Sequence, residues 1–184
     1  MLILASQSPR RIEILERAGF VFAVQVPDVD ESVLDNEAPP SYVRRIAARK
    51  ATAIQLSPGD CVLAADTTVV VDNQILGKPV DIADAVRMLG LLQGRSHEVL
   101  TGICIRFRNQ IVVDAAVTLV RFDGMTESDI ARYVASGEPM DKAGAYGIQG
   151  LASRFVTGIE GCYYNVMGLP VSLVARHLRR LGVG

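Results

Sequence analysis

Tryptophan is absent from this sequence, and tyrosine and phenylalanine supply only five residues each. Without aromatic runs there is no platform on which successive bases could stack, which disfavours a single-strand nucleic-acid binder. An excess of one charge is lacking too: 19 Lys and Arg face 20 Asp and Glu, for a formal net charge of −1. That balance gives no overall field to attract a nucleic acid or an anionic membrane, although local basic clusters remain open. Cysteine is scarce. Cys61, Cys104 and Cys162 are an odd set with no close pair, which argues against a disulfide scaffold or a zinc site. Cys61 and Cys104 sit in apolar runs and read as small core residues. The only histidines, His97 and His177, form no metal pair. His177 falls on the last expected helix and reads as a surface residue, while His97 starts a strand and receives no role. No apolar run reaches the ~20 residues needed to span a bilayer. The start, Met1-Leu2-Ile3-Leu4-Ala5, lacks a basic n-region and meets Ser6-Gln7-Ser8-Pro9 at once, so the expectation is a cytoplasmic protein without a signal peptide. No Gly-x-Ser-x-Gly elbow is present, which disfavours a serine hydrolase.

What is present suits a packed core. The chain has 184 residues, 49% of them hydrophobic. A chain of this size buries roughly two-thirds of its unfolded surface and needs no disulfide or structural metal. It fits one domain, or one domain with a smaller lobe. Leu2 to Ala5 reads as a buried strand. Ser8-Pro9 opens a helix, with Ser as N-cap and Pro at the first helical position, and Gly19 stops it. A second strand follows over Phe20 to Val26, then an acidic, turn-rich loop from Pro27 to Pro40. Ser41 to about Gln55 reads as a basic amphipathic helix. Cys61 to Ala65 is a buried strand expected to end at Asp66. Val69 to Val71 and Ile75-Leu76 flank Asp72-Asn73-Gln74, a hairpin signal. Asp81 caps a helix to Gln93, stopped by Gly94. Glu98 to Phe107 and Ile111 to Phe122 form a long hairpin around Arg108-Asn109-Gln110. Thr126 caps a helix ending before Gly137, Glu138 to Gly150 is a Gly-rich loop, and Pro170 to Leu181 is the last helix. Strands and helices mix without strict alternation, which predicts an α/β fold with a mixed sheet.

Five segments carry candidate chemistry, each with a plainer alternative beside it. Ser6-Gln7-Ser8-Pro9-Arg10-Arg11 lies between strand and helix, where free amides bind anions. Arg10 and Arg11 oppose the helix dipole at that end, which a bound polyphosphate would explain; two solvated arginines are the alternative. Asp66 in Ala64-Ala65-Asp66-Thr67 sits where α/β sheets bind ligands, as a general base or a ligand to a divalent cation. Its alternative is a turn-forming Asp capping its own backbone. Lys78 in Gly77-Lys78-Pro79 can meet a phosphate or be a surface lysine in a turn. The upstream glycines of a Walker A loop are missing, so a P-loop is rejected. Asp28-Val29-Asp30-Glu31 places close carboxylates before a helix bearing Arg44, Arg45, Arg49 and Lys50. These suit Mg²⁺ or Mn²⁺, or are a solvated acidic loop beside a basic face. Finally, the glycines of the 137–150 stretch allow close backbone approach, and Gln149 carries both a donor and an acceptor suited to a base edge; the alternative is an ordinary long loop.

Taken together, Ser6-Gln7-Ser8-Pro9-Arg10-Arg11, Asp30-Glu31, Lys50-Ala51, Ala65-Asp66-Thr67, Gly77-Lys78-Pro79, Glu138-Pro139-Met140-Asp141-Lys142-Ala143-Gly144 and Gly168-Leu169-Pro170 resemble the Maf family of nucleotide pyrophosphatases in order and spacing. The resemblance covers essentially the whole chain, as a single Maf-like domain over residues 1–184. It implies a fold similar to inosine-triphosphate pyrophosphatases, with a mixed twisted sheet, flanking helices and two lobes around a deep cleft. It implies hydrolysis of a nucleoside triphosphate to the monophosphate and pyrophosphate with a divalent cation, Mg²⁺ or Mn²⁺. Asp66 matches the proton acceptor, with Lys50 and Lys78 as its catalytic companions. Ser6, Arg10 and Glu31 match the phosphate and metal region, with Glu31 and Asp66 as metal ligands. Arg11, Thr67 and Gln149 match positions linked to base choice. The Ala145-Tyr146-Gly147-Ile148-Gln149-Gly150 stretch resembles the dTTP/UTP branch. Gln7 replaces a common Gly and Gln93 a common Ser. A homodimer is an expectation at family level. Two alternatives remain: a 7-methyl-GTP pyrophosphatase of the same family, and a septum-formation inhibitor acting by binding.

Overall fold

Four consecutive buried residues, Leu2–Ala5, form strand β1, and parallel neighbours flank it on both sides. The computed structural model describes residues 1–183; Gly184, the last residue of the domain expected over 1–184, lies outside them. The chain forms two compact units. The first comprises Met1–Thr67, Thr101–Ala116 and the C-terminal segment from Gly168; the second comprises Thr68–Leu100 and Val117–Met167.

In the first unit β1 pairs with β2 (Phe22–Gln25) and with the opening half of β3 (Cys61–Val71), both in parallel. Parallel neighbours need crossovers, and two helices supply them: α1 (Pro9–Arg17) after β1 and α2 (Pro39–Thr52) after β2. α2 begins two residues before the expected Ser41, because Pro39 and Pro40 need no amide partner in a first turn. Ile3, Ala5, Ala47, Ala51, Ile54, Val62, Ala64 and Cys104 pack as one apolar cluster, which places Cys104 in the core as expected. α6 (Val171–Leu181) closes the chain with Val174 and Leu178 buried and Gly182 at its end in the left-handed region.

β3 does not stop at Asp66. It runs on through Thr67-Thr68-Val69-Val70-Val71, five β-branched residues whose side chains favour extended backbone. Its later half belongs to the second unit and pairs antiparallel with β4 (Gln74–Leu76). Asp72 and Asn73 join them with φ of 50° and 61°, a two-residue turn with positive φ at both positions that matches strand twist. Next come α3 (Ile82–Leu92), capped by the Asp81 side chain on the Asp84 amide at 2.7 Å, and the strands β5 (Ser96–Phe107) and β6 (Gln110–Phe122). α4 (Glu127–Ala135) opens on a reciprocal Thr126–Asp129 capping box. The Gly-rich stretch after it folds into short 3-10 turns over Glu138–Asp141, Ala143–Ala145 and Leu151–Phe155. β7 (Val156–Glu160) and α5 (Tyr163–Met167) complete this unit and were not anticipated. The sheet order is β2-β1-β3-β5-β6-β7 with β4 on β3, so the sheet is mixed, as expected. Among the described residues no helix is long and apolar enough to cross a membrane.

Candidate active site

The site is built from the ends of β1 and α1, the middle of β3 and the buried face of α2. Ser6 follows β1 directly and is buried. Its Oγ accepts from the Ser8 amide at 3.2 Å and from Arg11 Nη1 at 3.2 Å. Ser8 occupies the N-cap position of α1, but its own side chain caps nothing. The first turn of α1 has no acidic residue, and Arg10 stands half-buried on it.

Arg11 points inward. It is only 9% exposed. Its Nε donates to the Gly168 carbonyl at 2.8 Å, and Nη2 donates to Thr67 Oγ1 at 3.1 Å. With the Ser6 contact, three of the five N–H donors that a guanidinium carries are engaged inside the protein. This rules out the picture of a solvated arginine on a capped helix. Burial draws its pKa down and nearby Asp66 opposes that shift. Thr67 Oγ1 also lies 2.9 Å from Thr101 Oγ1.

Lys50 leaves the buried face of α2 and places Nζ 2.7 Å from Asp66 Oδ1 and 2.9 Å from Glu31 Oε1. Asp66 therefore does not cap its own backbone; its charge is met by an ammonium. Burial raises the Asp66 pKa above the usual carboxylate range, against the pull of Lys50 and Arg11, with Glu31 adding to the rise. Glu31 lies on the exposed loop before α2, and that loop is tied to the helix. Tyr42 Oη donates to the Glu31 carbonyl at 3.0 Å, Arg45 Nη2 to the Ser32 carbonyl at 2.9 Å, and Arg49 Nη1 to the Asp30 carbonyl at 3.2 Å. Asp30 turns its carboxylate to the Ser32 amide at 2.9 Å, so of this neighbouring pair only Glu31 reaches Lys50.

Ser6, Arg11, Glu31, Lys50, Asp66 and Thr67 thus form two bonded groups, linked through consecutive residues 66 and 67 and by attraction between Asp66 and Arg11. Lys78 and Gln149 belong to the second unit, and each is exposed. The Gly77 carbonyl beside Lys78 accepts from the Gly144 amide at 3.0 Å, and Gln149 sits in a turn closed by the Gly150 amide on the Gly147 carbonyl at 3.1 Å.

The model of the Maf-like protein family matches residues 1–181 of this sequence. The chain belongs to that family. A relative from Koribacter versatilis (strain Ellin345), named dTTP/UTP pyrophosphatase, is 50% identical over 183 residues, covering 99% of this chain and 95% of its own. A relative of the same name from Symbiobacterium thermophilum is 50% identical over 182 residues, covering 98% of this chain and 94% of its own. Among solved structures, a HAM1 protein from Coxiella burnetii superposes with a TM-score of 0.53 over 97% of this chain and 98% of its own, at 16% identity, which shows the fold alone.

Set against this Maf-like frame, Thr101 and Gly168 are the contacts that the sequence did not point to. Thr101 carries no motif. Gly168-Leu169-Pro170 was visible as a motif, but its use became visible only with the Arg11 contact and a Gly168 φ of 115°. A divalent cation fits the donor chemistry, since two carboxylates converge on one positive charge and both offer the hard oxygens that Mg²⁺ and Mn²⁺ favour. Among the described residues no group of three or more His, Cys, Asp or Glu could hold a metal, so such an ion would take its remaining ligands from water and phosphate. The histidines lie elsewhere. His177 is no free surface residue, because its ring nitrogen lies 2.8 Å from Asp114 Oδ2. His97 is buried, with Nε2 2.8 Å from Tyr146 Oη, and burial lowers its pKa to about 4.

Proposed function

We propose that the protein hydrolyses dTTP and UTP to the nucleoside monophosphate and pyrophosphate. The observation that carries the reading is 50% identity over nearly the full length to proteins named for that activity. The site geometry supports the chemistry. A triphosphate repels an attacking hydroxide, so the site must neutralise charge and orient water. Within the first unit the first turn of α1 and Arg10 face that task, with Lys50 between the two carboxylates. Asp66 is the proton acceptor. Its pKa, lifted by burial, makes it a stronger base than an exposed aspartate, while Lys50 keeps it available in the ionised form. Water adds to phosphorus, its proton passes to Asp66, and the α–β anhydride bond breaks to release pyrophosphate. Glu31 and Asp66 are the residues that would hold Mg²⁺ or Mn²⁺, which supplies positive charge to the phosphate oxygens when bound. Arg11 and Thr67 shape the same site, and Gln149 reads the base. Substrates of this kind are made and used in the cytoplasm, and the proposal places the protein there.

The test is kcat/KM for dTTP, UTP, CTP, GTP and 7-methyl-GTP with Mg²⁺ or Mn²⁺, scored by pyrophosphate release. Uracil and thymine present acceptor, donor and acceptor along one edge, and the Gln149 amide can meet two of these. Cytosine puts an amine where uracil has a carbonyl, so dTTP and UTP should lead CTP, with purines poor. A preference for 7-methyl-GTP would move the protein to the other branch of the family, and no turnover of any triphosphate would leave a binding role.

A further inference from the structure

The second unit contains a hydrogen-bond chain that none of the proposed chemistry uses. Tyr133 and Glu138 link the end of α4 to the turn that carries Gln149. The Gly147 amide donates to Tyr133 Oη at 3.2 Å, Tyr133 Oη donates to Glu138 Oε1 at 2.8 Å, and Glu138 Oε2 accepts from the Leu151 amide at 2.9 Å. Two side chains therefore grip the turn at both ends, at 147 and at 151, and Gln149 stands exposed between them. Burial pushes the Tyr133 phenol up, so it stays protonated and remains a donor to the carboxylate.

The fit is tight at three further points. A Cβ on Gly150 would collide with the Glu138 carboxylate, although the Gly150 φ of −98° is open to any residue. The glycine is there for space. A Cβ on Gly147 would come within 2.7 Å of the Lys142 stem, and Lys142 Nζ donates to the Glu138 carbonyl at 2.7 Å. Upstream, Gly144 and Ala145 hold φ of 68° and 58°, and Tyr146 is then fixed by His97 and by edge-on contact with Phe122 at 4.7 Å. A backbone this constrained around one exposed amide is costly unless the position of that amide matters.

We infer that Glu138, acting with Tyr133, is a positioning residue for base choice: the pair sets the 147–151 turn, and the turn sets Gln149. The inference rests on the reading of Gln149 given above, because Glu138 itself touches no substrate. It follows that breaking the chain changes which triphosphate is preferred more than it changes the rate of the chemical step.

Tyr133→Phe keeps the buried ring and removes both of its hydrogen bonds. Glu138→Gln keeps the length but turns a donor toward one of its two partners. Gly150→Ala leaves both residues in place and forces the carboxylate aside. In each variant, amide hydrogen exchange should show lost protection at Gly147, Leu151 or both. The ratio of kcat/KM for UTP over CTP should fall by about tenfold, the order set by one lost hydrogen bond, with the loss appearing as a raised KM for UTP while kcat for UTP stays nearly constant. Retained protection at both amides, or lost protection with an unchanged ratio, overturns the inference. If the wild type prefers a different triphosphate, the proposed substrate falls, and the same variants test the pair on the ratio of that triphosphate to its runner-up.

Discussion

Asp66 meets two demands that pull its ionisation in opposite directions. Burial favours the neutral acid, and Lys50 and Arg11 favour the carboxylate; the balance leaves the pKa raised. As a base it works only when ionised, so activity should fall on the acid side at a pH above the ordinary aspartate range, read from a kcat/KM profile. For stability the sign is opposite to that of a salt-bridged surface acid. With the folded pKa above the unfolded one, ionised Asp66 costs stability once pH is above both, and the cost disappears as pH falls below the unfolded value. Asp66→Asn should cut turnover by about 10²–10⁴, while the relief of a buried charge and the loss of one of the two carboxylate partners of Lys50 oppose each other and keep the melting temperature at neutral pH close to wild type. Near-normal kcat in a folded variant would remove Asp66 from the mechanism. Arg11 gives the contrasting case. A lysine there has one nitrogen and cannot span Gly168, Ser6 and Thr67, so Arg11→Lys should lower stability by about 1–3 kcal/mol and weaken all triphosphates alike. If it instead leaves the melting temperature unchanged and reorders the bases, Arg11 reads the base directly.

At the scale of elements, local signals were legible where one residue type has one backbone use. Ser8-Pro9, Asp72-Asn73, Asp81 and Thr126 each marked a boundary that the structure keeps. Boundaries decided by tertiary partners were not. The end assigned to β3 at Asp66 treated a charge as a stop, but Lys50 on α2 satisfies that charge and the strand runs on through its β-branched residues. The same limit applied to Arg11, whose partners lie at Thr67 and Gly168, far away in sequence. β7 was illegible because Gly158 interrupts a five-residue, half-exposed strand, and α5 is too short to show a period. The family resemblance named Ser6, Arg11, Glu31, Lys50, Asp66 and Thr67 together, and the structure joins these side chains by hydrogen bonds and ion pairs within unit one, while local reading left each segment with a plainer alternative. Gly102 tests how elements carry the site. A Cβ there would meet the Val43 carbonyl of α2, so Gly102→Ala should push α2 off β5 and shift Lys50 with it. The expected result is about 1–3 kcal/mol of lost stability together with reduced kcat. Full activity with lowered stability would show that the placement of Lys50 tolerates movement of its helix.

Over the whole molecule, the charges are nearly balanced at −1, so the attraction for a polyanion must come from local cations. Lys50 already lies between Glu31 and Asp66. A divalent ion drawn to those two carboxylates competes with an ammonium that is present in every molecule, whereas a bound triphosphate brings further oxygen ligands and gives Lys50 another anion to meet. Metal and substrate should accordingly bind with positive coupling. Calorimetric titration of Mn²⁺ into the protein should give weak binding alone and at least tenfold tighter binding with a non-hydrolysable UTP analogue, after correction for the metal that the analogue binds by itself. Lys50→Met should strengthen metal binding to the protein alone by removing the competitor, yet lower turnover by removing a cation from the phosphate site. Excess EDTA should silence the wild type, and Mg²⁺ or Mn²⁺ should restore it. Full activity under chelation, with bound metal measured as absent, would show that the protein's own cations carry the charge neutralisation. Equal Mn²⁺ affinity with and without the analogue would show instead that the two carboxylates do not share their ion with the substrate.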